Sequence, residues 1–248
     1  MFRRMLTGVL TLMLPSLLAA FLLNLIGHRV SRHARIGFSF LGVSRLVLAR
    51  GARVGHFNLF LCRRLVLHSD GRVGRANLVS GPISVRGGIK SLIGNSNKIT
   101  RGGAHIRKAG SLLYIGEIAG ITAGHRVDCT RSISIGDYST IAGVGSQLWT
   151  HGYIHEESGP GRYRVDGTIR IGRNVYIGSM CVISAGVRIA NCVIIGSGSS
   201  VGKSLDEPGL YVSQPLRHLP RPGPPGNNPK LEKLPSDFSC DRVYEKKS

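Results

Sequence analysis

The chain has 248 residues, 42% hydrophobic and 6% aromatic, with 34 glycines and a formal charge of +20. That apolar fraction excludes a disordered chain. Five scattered cysteines (Cys62, Cys129, Cys181, Cys192, Cys240) exclude a disulfide scaffold, and no pair has zinc-ligand spacing. Free thiols fit a reducing compartment. The charge is lopsided: residues 1–110 hold 18 Lys and Arg against one acid, Asp70, whereas residues 111–248 hold 15 against 12. A basic region beside an apolar segment points to an anionic membrane surface. No aromatic RNA motif, zinc finger or helix-turn-helix pattern is present, so we expect no nucleic-acid partner.

From Met5 to Ile26 the chain carries no charge, while Arg3, Arg4, Arg29, Arg32 and Arg35 flank it. The length approaches the roughly 20 residues of a spanning helix, and Pro15 divides it. A straight span, and a kinked, re-entrant or interfacial anchor, both fit. A signal peptide lacks its cleavage site before Gly27. We expect residues 1–30 to form a hydrophobic membrane-associating segment.

A six-residue period follows. Ile171, Ile177, Ile183, Ile189, Ile195 and Val201 are evenly spaced, and small residues follow each: Gly172, Gly178, Ser184, Ala190, Gly196 and Gly202. Val175, Val187 and Val193 form a second series. This hexapeptide repeat predicts a solenoid in which three hexads make one triangular coil. The aliphatic side chain stacks inward, and the small residue leaves room for the neighbouring turn. Fainter copies include Ile115, Ile121, Val127 and Ile133, then Ile93 with Ile99, and Val73, Val79 and Val85. Their phase slips, which implies bulges. The expectation is an all-β solenoid of about eight coils over residues 31–208, with the N-terminal helical segment covering one end. Residues 209–248 read as a proline-rich, irregular extension, with Pro215, Pro220, Pro222, Pro224, Pro225 and Pro229 close together.

Ile141 and Ile171 share a phase, but the rule fails between them. Residues 146–168 read as an extruded loop holding Trp149, His151, His155, Arg162, Arg164 and Asp166. Function commonly sits on such loops, and histidine suits proton transfer at neutral pH.

Here the chain resembles the hexapeptide-repeat acyltransferases, most closely the sugar O-acetyltransferases, and the resemblance implies that the solenoid is a left-handed parallel β-helix. The resemblance is good over residues 111–220. It rests on Trp149-Thr150-His151 at the start of the loop, Asp166 before the next coil, Ile171-Gly172, Tyr176-Ile177-Gly178-Ser179, and the stretch from Ile194 to Arg217. Gln147 to Arg217 is similar to the membrane-linked polysaccharide acetyltransferases, which share the Thr-His-Gly-Tyr element and a hydrophobic N-terminus. The resemblance implies O-acetyl transfer from acetyl-CoA to a sugar hydroxyl of a cell-envelope or exported glycan. His151 would be the general base, with His155 as a rival. Asp166 would orient the imidazole or meet the acceptor, and the Ser179 N–H would bind the oxyanion. Tyr176, Gly196, Ser197, Gly198, Lys203 and Arg217 would hold coenzyme A. Trp149, His155, Arg162 and Arg164 would face the acceptor. It also implies a homotrimer, no metal, and the cytoplasmic face of the membrane. The family often places an Asn one coil before the loop, but this chain has GITAGHRVD there, leaving Thr122 or His125 as substitutes.

Two other readings stay open. One is a non-catalytic, membrane-associated scaffold or binding module. The other is a carbonic anhydrase of this fold, which needs three converging histidines from among His105, His125, His151 and His155.

Overall fold

The computed structural model describes residues 2–101, 109–213, 217–219, 231–234 and 243–246, with backbone alone at 217, 219, 231–234 and 243–246. His105, Cys240 and the six prolines from Pro215 to Pro229 lie outside the described residues.

Three parallel sheets, here faces A, B and C, wrap one core. Each of eight coils gives one strand to each face in turn. Coil 1 contains Arg29–Val30, Arg35–Ile36 and Phe40–Leu41. Coil 6 contains Ile133–Ile135, Thr140–Ile141 and Gln147–Trp149, and coil 8 contains Arg188–Ile189, Val193–Ile195 and Ser200–Val201. Gly209–Val212 adds a ninth rung to face B, and Arg217–Leu219 folds back against it. Farther on, Leu231–Leu234 pairs antiparallel with Val243–Lys246. The expected parallel β-helix is therefore the architecture, with eight full coils and a partial ninth.

The inward aliphatic residues stack rung on rung. On face B, Ile36, Val54, Val73, Ile93, Ile121, Ile141, Ile177 and Ile195 lie in register and are buried. Burying one such side chain contributes roughly 1.5–3 kcal/mol. The small residue after each is required by the next coil: a Cβ on Gly178 would stand 2.7 Å from the backbone N of Ser197.

The phase slips have a physical cause. Val30, Leu48, Leu67 and Gly87 are stacked neighbours on face A although their sequence separations grow by a residue at each step. The extra residues lie between faces C and A, where the step from Phe60 to Leu67 is seven residues and that from Val79 to Gly87 is eight. The B–C corner keeps the six-residue step from Val54 to Phe60, Val73 to Val79 and Ile93 to Ile99; there Phe57, Ala76 and Ser96 adopt positive φ, and a buried asparagine follows each.

Those asparagines form a ladder up the corner: Ser39, Asn58, Asn77, Asn97, His125 and Ser146, all at most 2% exposed. Asn77 N and Nδ2 each donate to Asn58 Oδ1 at 2.9 Å, and Asn97 repeats the pattern on Asn77. His125 N donates to Asn97 Oδ1 at 2.9 Å, and Ser146 N donates to His125 Nδ1 at 3.1 Å. Each rung satisfies the buried amide above it, which is costly to leave unpaired. Asn77→Ala should lower unfolding stability by about 3 kcal/mol, since it strands the Asn97 N–H and the Gly94 carbonyl. A urea midpoint equal to that of the wild type would disprove the ladder's role.

Two helices close the N-terminal end: α1 (Phe2–Met13) and α2 (Ser16–Leu25), separated at Leu14-Pro15. No helix among the described residues is long and apolar enough to cross a membrane. The helices supply polar groups to the open edge of coil 1. Val30 N donates to Asn24 Oδ1 at 2.8 Å, Ile36 N to Ser16 Oγ at 2.9 Å, and Leu41 N to Thr11 Oγ1 at 3.1 Å. Each face of the triangle thus has its edge N–H capped. α1 sits close because Gly8 has no side chain; a Cβ there would run into the Phe40 ring.

His28 joins the cap to coil 2. Its Nδ1 accepts from Leu46 N at 3.0 Å, and its Nε2 meets Thr7 Oγ1 at 2.8 Å. Burial, aided by the charge of Arg3, lowers its pKa from 6.5 to about 4. The folded state thus resists a proton that the unfolded chain takes up. The stability held by neutral His28 is complete above pH 6.5 and is lost as pH falls toward 4. Hydrogen exchange of the Leu46 amide should accelerate over that window before the distal coils respond, and His28→Gln should flatten the dependence.

Candidate active site

Between coils 6 and 7 the chain leaves the solenoid as an antiparallel hairpin, His151–His155 with Arg162–Asp166. The extruded segment is narrower than 146–168, because Leu148 stays between Val127 and Ile183 on face C, and Trp149 pairs with Asp128. Gly167 N donates to Thr150 O at 2.9 Å and closes the hairpin's base.

His151 is held at that base, at the C–A corner. Its Nδ1 lies 2.8 Å from Asp128 Oδ2, with the two side chains 19% and 5% exposed. Asp128 is fixed in turn. Thr150 donates to Oδ2 from both Oγ1 (2.7 Å) and backbone N (3.1 Å), and Thr130 Oγ1 donates to Oδ1 at 2.9 Å. Burial opposes ionisation of Asp128, but the bonds from Thr150, His151 and Thr130 prevail and hold its carboxyl below the usual range. An ionised Asp128 accepts the Nδ1–H of His151, so Nε2 is the nitrogen left with a lone pair. Trp149 and Tyr153 meet the imidazole edge-on, each with its ring centroid 6.1 Å away.

The hairpin's pairing sorts its side chains. His151 faces Asp166, Tyr153 faces Arg164, and His155 faces Arg162, all on one side of the ribbon. Arg164 Nε binds Asp166 Oδ1 at 2.7 Å, and its Nη1 reaches Tyr153 Oη at 3.1 Å. Arg162 lies over the Tyr153 ring, 4.8 Å from its centroid. Asp166 is therefore committed to Arg164, and the carboxylate on the imidazole is Asp128. His155 is exposed and stands four strand residues from His151, about 13 Å. It makes no ion pair among the described residues.

The remaining candidates divide between two corners. Lys203 shares the corner of His151: Leu148, Ile183 and Val201 are stacked, which puts Thr150, Ala185 and Lys203 in one column. Ser179 is elsewhere. Met180 N donates to Val144 O, so Ser179 lies over the B–C corner, across face C from His151 and about 20 Å along the chain path. Its N–H has no hydrogen-bond acceptor among the described residues, and its carbonyl accepts from Gly198 N at 2.8 Å. Gly196, Ser197 and Gly198 turn that same corner one coil on, with exposed Tyr176 beside them on face B. The side chain of Arg217 lies outside the described residues.

Thr122 and His125 belong to the B–C corner, where Thr122 Oγ1 is 3.1 Å from His125 Nε2. His125 is a rung of the buried ladder, and burial lowers its pKa. His125, His151 and His155 therefore do not converge on a point. Cys62, Cys129 and Cys181 are buried packing residues with free thiols, and burial raises the pKa of each.

No protein-family model matches this chain, and no curated protein matches it by sequence. Solved structures do. The polySia specific acetyltransferase NeuO superposes with a TM-score of 0.52 at 23% identity, covering 71% of this chain and 79% of its own. The polysialic acid O-acetyltransferase OatWY matches with a TM-score of 0.44 at 16% identity, over 78% of this chain and 84% of its own. The chain is a hexapeptide-repeat parallel β-helix, the fold it shares with the acetyltransferase NeuO.

Proposed function

We propose that the protein is an O-acetyltransferase that moves an acetyl group from acetyl-CoA to a hydroxyl of a sugar in an anionic glycan. The observation that carries this reading is the Asp128–His151 pair, fixed at the base of an extruded hairpin with Nδ1 on the carboxylate. His151 Nε2 takes the proton of the acceptor hydroxyl as its oxygen attacks the thioester carbonyl. The tetrahedral oxyanion then collapses, the carbon–sulfur bond breaks, and the imidazolium returns the proton to the departing thiolate. Asp128 holds the ring and balances the imidazolium charge; it is a positioning residue.

The Ser179 N–H is the oxyanion donor in this reading, with Tyr176, Gly196, Ser197 and Gly198 against the pantetheine arm. Because these residues occupy a different corner from His151, the donor comes from a neighbouring copy, and the working unit is a homotrimer. The exposed apolar side of the hairpin (Ile154 59%, Tyr163 61%, Val165 47%) supports such a contact. Lys203, in the column of His151, meets coenzyme A phosphate, and Arg217 is a further candidate for it. Arg164 supports an anionic acceptor, since its Nη2 is buried without a partner among the described residues. Trp149, Arg162 and His155 line the rest of that approach. The fold shared with a polySia specific acetyltransferase agrees with this acceptor class.

The test is thiol release from acetyl-CoA with a panel of acidic and neutral glycans. Release that depends on an acidic glycan, with the acetyl ester found on that glycan, is the expected result. Tight binding of a glycan without any affinity for coenzyme A would favour the scaffold reading.

A further inference from the structure

The helical cap is built inside out. α1 buries Thr7, Gly8 and Thr11 against the solenoid, and α2 buries Ala19, Ala20 and Leu23. The large apolar residues point away: Phe2, Met13, Leu17, Phe21 and Leu25 are 61–81% exposed. A soluble cap would bury these and expose the threonines. Behind the cap, the first coils carry stacked arginines. Arg35, Arg53 and Arg72 are in register on face B, and Arg45 with Arg64 on face A, all exposed. None of them makes an ion pair among the described residues. Like charges directly opposite one another on neighbouring strands are unfavourable, so an external polyanion would relieve them.

We propose that the N-terminal end is a monotopic membrane anchor: the cap inserts into one anionic leaflet, and the β-helix stands end-on upon it. The occupant is a bilayer because one surface must take an apolar end-plate and the columns of cations immediately behind it on faces A and B. A second copy meeting cap to cap would bring the two sets of arginines toward each other, and a nucleic acid would leave the apolar plate uncovered. Helices of 12 and 10 residues suit lying in the interface rather than crossing it.

The spacing agrees with the layers of a bilayer. Coils repeat about every 4.8 Å, so Arg35 to Arg72 spans about 10 Å, close to the thickness of a headgroup layer with its diffuse ions. His151 follows coil 6, five coils from the anchor, which fixes it about 24 Å from coil 1. This consequence rests on the transferase reading: the acceptor hydroxyl lies several sugars out from a lipid-linked end, not beside it. Acetyl-CoA as donor makes the leaflet the cytoplasmic one.

The chain carries its own gauge, because Trp149, the only tryptophan, is exposed at coil 6. Full-length protein is mixed with phosphatidylcholine vesicles with or without phosphatidylglycerol, some carrying brominated acyl chains. We expect sedimentation with the anionic vesicles, no bromine quenching of Trp149, and strong quenching of a tryptophan placed by Phe21→Trp. Replacing Arg35, Arg53 and Arg72 with Gln should weaken vesicle binding by about 100-fold, with Trp149 emission unchanged as the check on folding. Quenching of Trp149 equal to that at position 21 would overturn the end-on pose. Absence of vesicle binding, or dimers that Phe21→Ser abolishes, would overturn the anchor. None of these readouts needs turnover, so the anchor and the transferase can fail separately.

Discussion

Replacing His151 with Ala is expected to lower kcat for glycan acetylation by about 10²–10⁴-fold, the range for a lost general base. The affinity for acetyl-CoA should hold, because the residues assigned to it lie on the other corner or farther up the column. His155→Ala should change kcat little, since His155 is exposed and about 13 Å along the strand from His151. The comparison separates the two candidates directly: single-turnover acetylation with each variant is decisive. A His155→Ala loss as large as that of His151→Ala would remove the present assignment.

The second large effect is expected at Asp128, where one substitution should act on both rate and stability. Asp128→Ala removes the carboxylate that Thr150 N, Thr130 Oγ1 and His151 Nδ1 meet, whereas Thr150 Oγ1 keeps the Asp128 backbone carbonyl at 2.9 Å. Leaving such a buried network unpaired costs about 3 kcal/mol. Asp128→Asn keeps the shape but removes the charge opposite the imidazolium, and kcat should fall at least about 100-fold while KM for acetyl-CoA is retained. That split distinguishes a positioning role from a structural one, which would lower the active fraction without changing the pH profile. The sign of the pH effect follows from the depressed carboxyl. Its stabilisation is present above the unfolded value of 3.8 and is lost only as pH falls through the lower folded value. Loss of stability as pH falls from 6.5 toward 4 belongs to His28, with His125, whose folded pKa is also lowered by burial, adding to it below 6.5, and it should survive in Asp128→Asn.

Asp128 lies within GITAGHRVD, yet spacing alone does not pair it with His151. Stacked residues in a regular solenoid are 18 apart, as Ile171 and Ile189 are on face A. Val127 and Leu148 are also stacked neighbours but lie farther apart in sequence, because a corner absorbs extra residues. Once the corner lengths vary, the neighbour one coil below cannot be counted off. Asp166 lies at the hairpin's end, and the pairing puts its backbone opposite His151. The Arg164 guanidinium, two residues away on the same strand, captures its carboxylate.

Asn58, Asn77 and Asn97 turn corners of the solenoid. Their amides also run as a buried hydrogen-bonded column, which exists only when coil closes on coil. His125, a candidate for the acceptor by sequence, is drawn into that column instead.

The hexad, the triangular coil, the place of the break and the separation of a basic, apolar-ended half from a nearly neutral one are all legible along the chain. These are local properties, set by six-residue side-chain alternation and by where charge is placed along the chain. Which carboxylate meets His151, the full face that separates Ser179 from it, and the outward turn of the N-terminal helices' apolar side emerge only in the folded chain. Each depends on stacking between coils: corner loops of unequal length set the vertical register, and the polar edge of coil 1 claims the threonines and serine of the cap, leaving the large apolar side chains to face away.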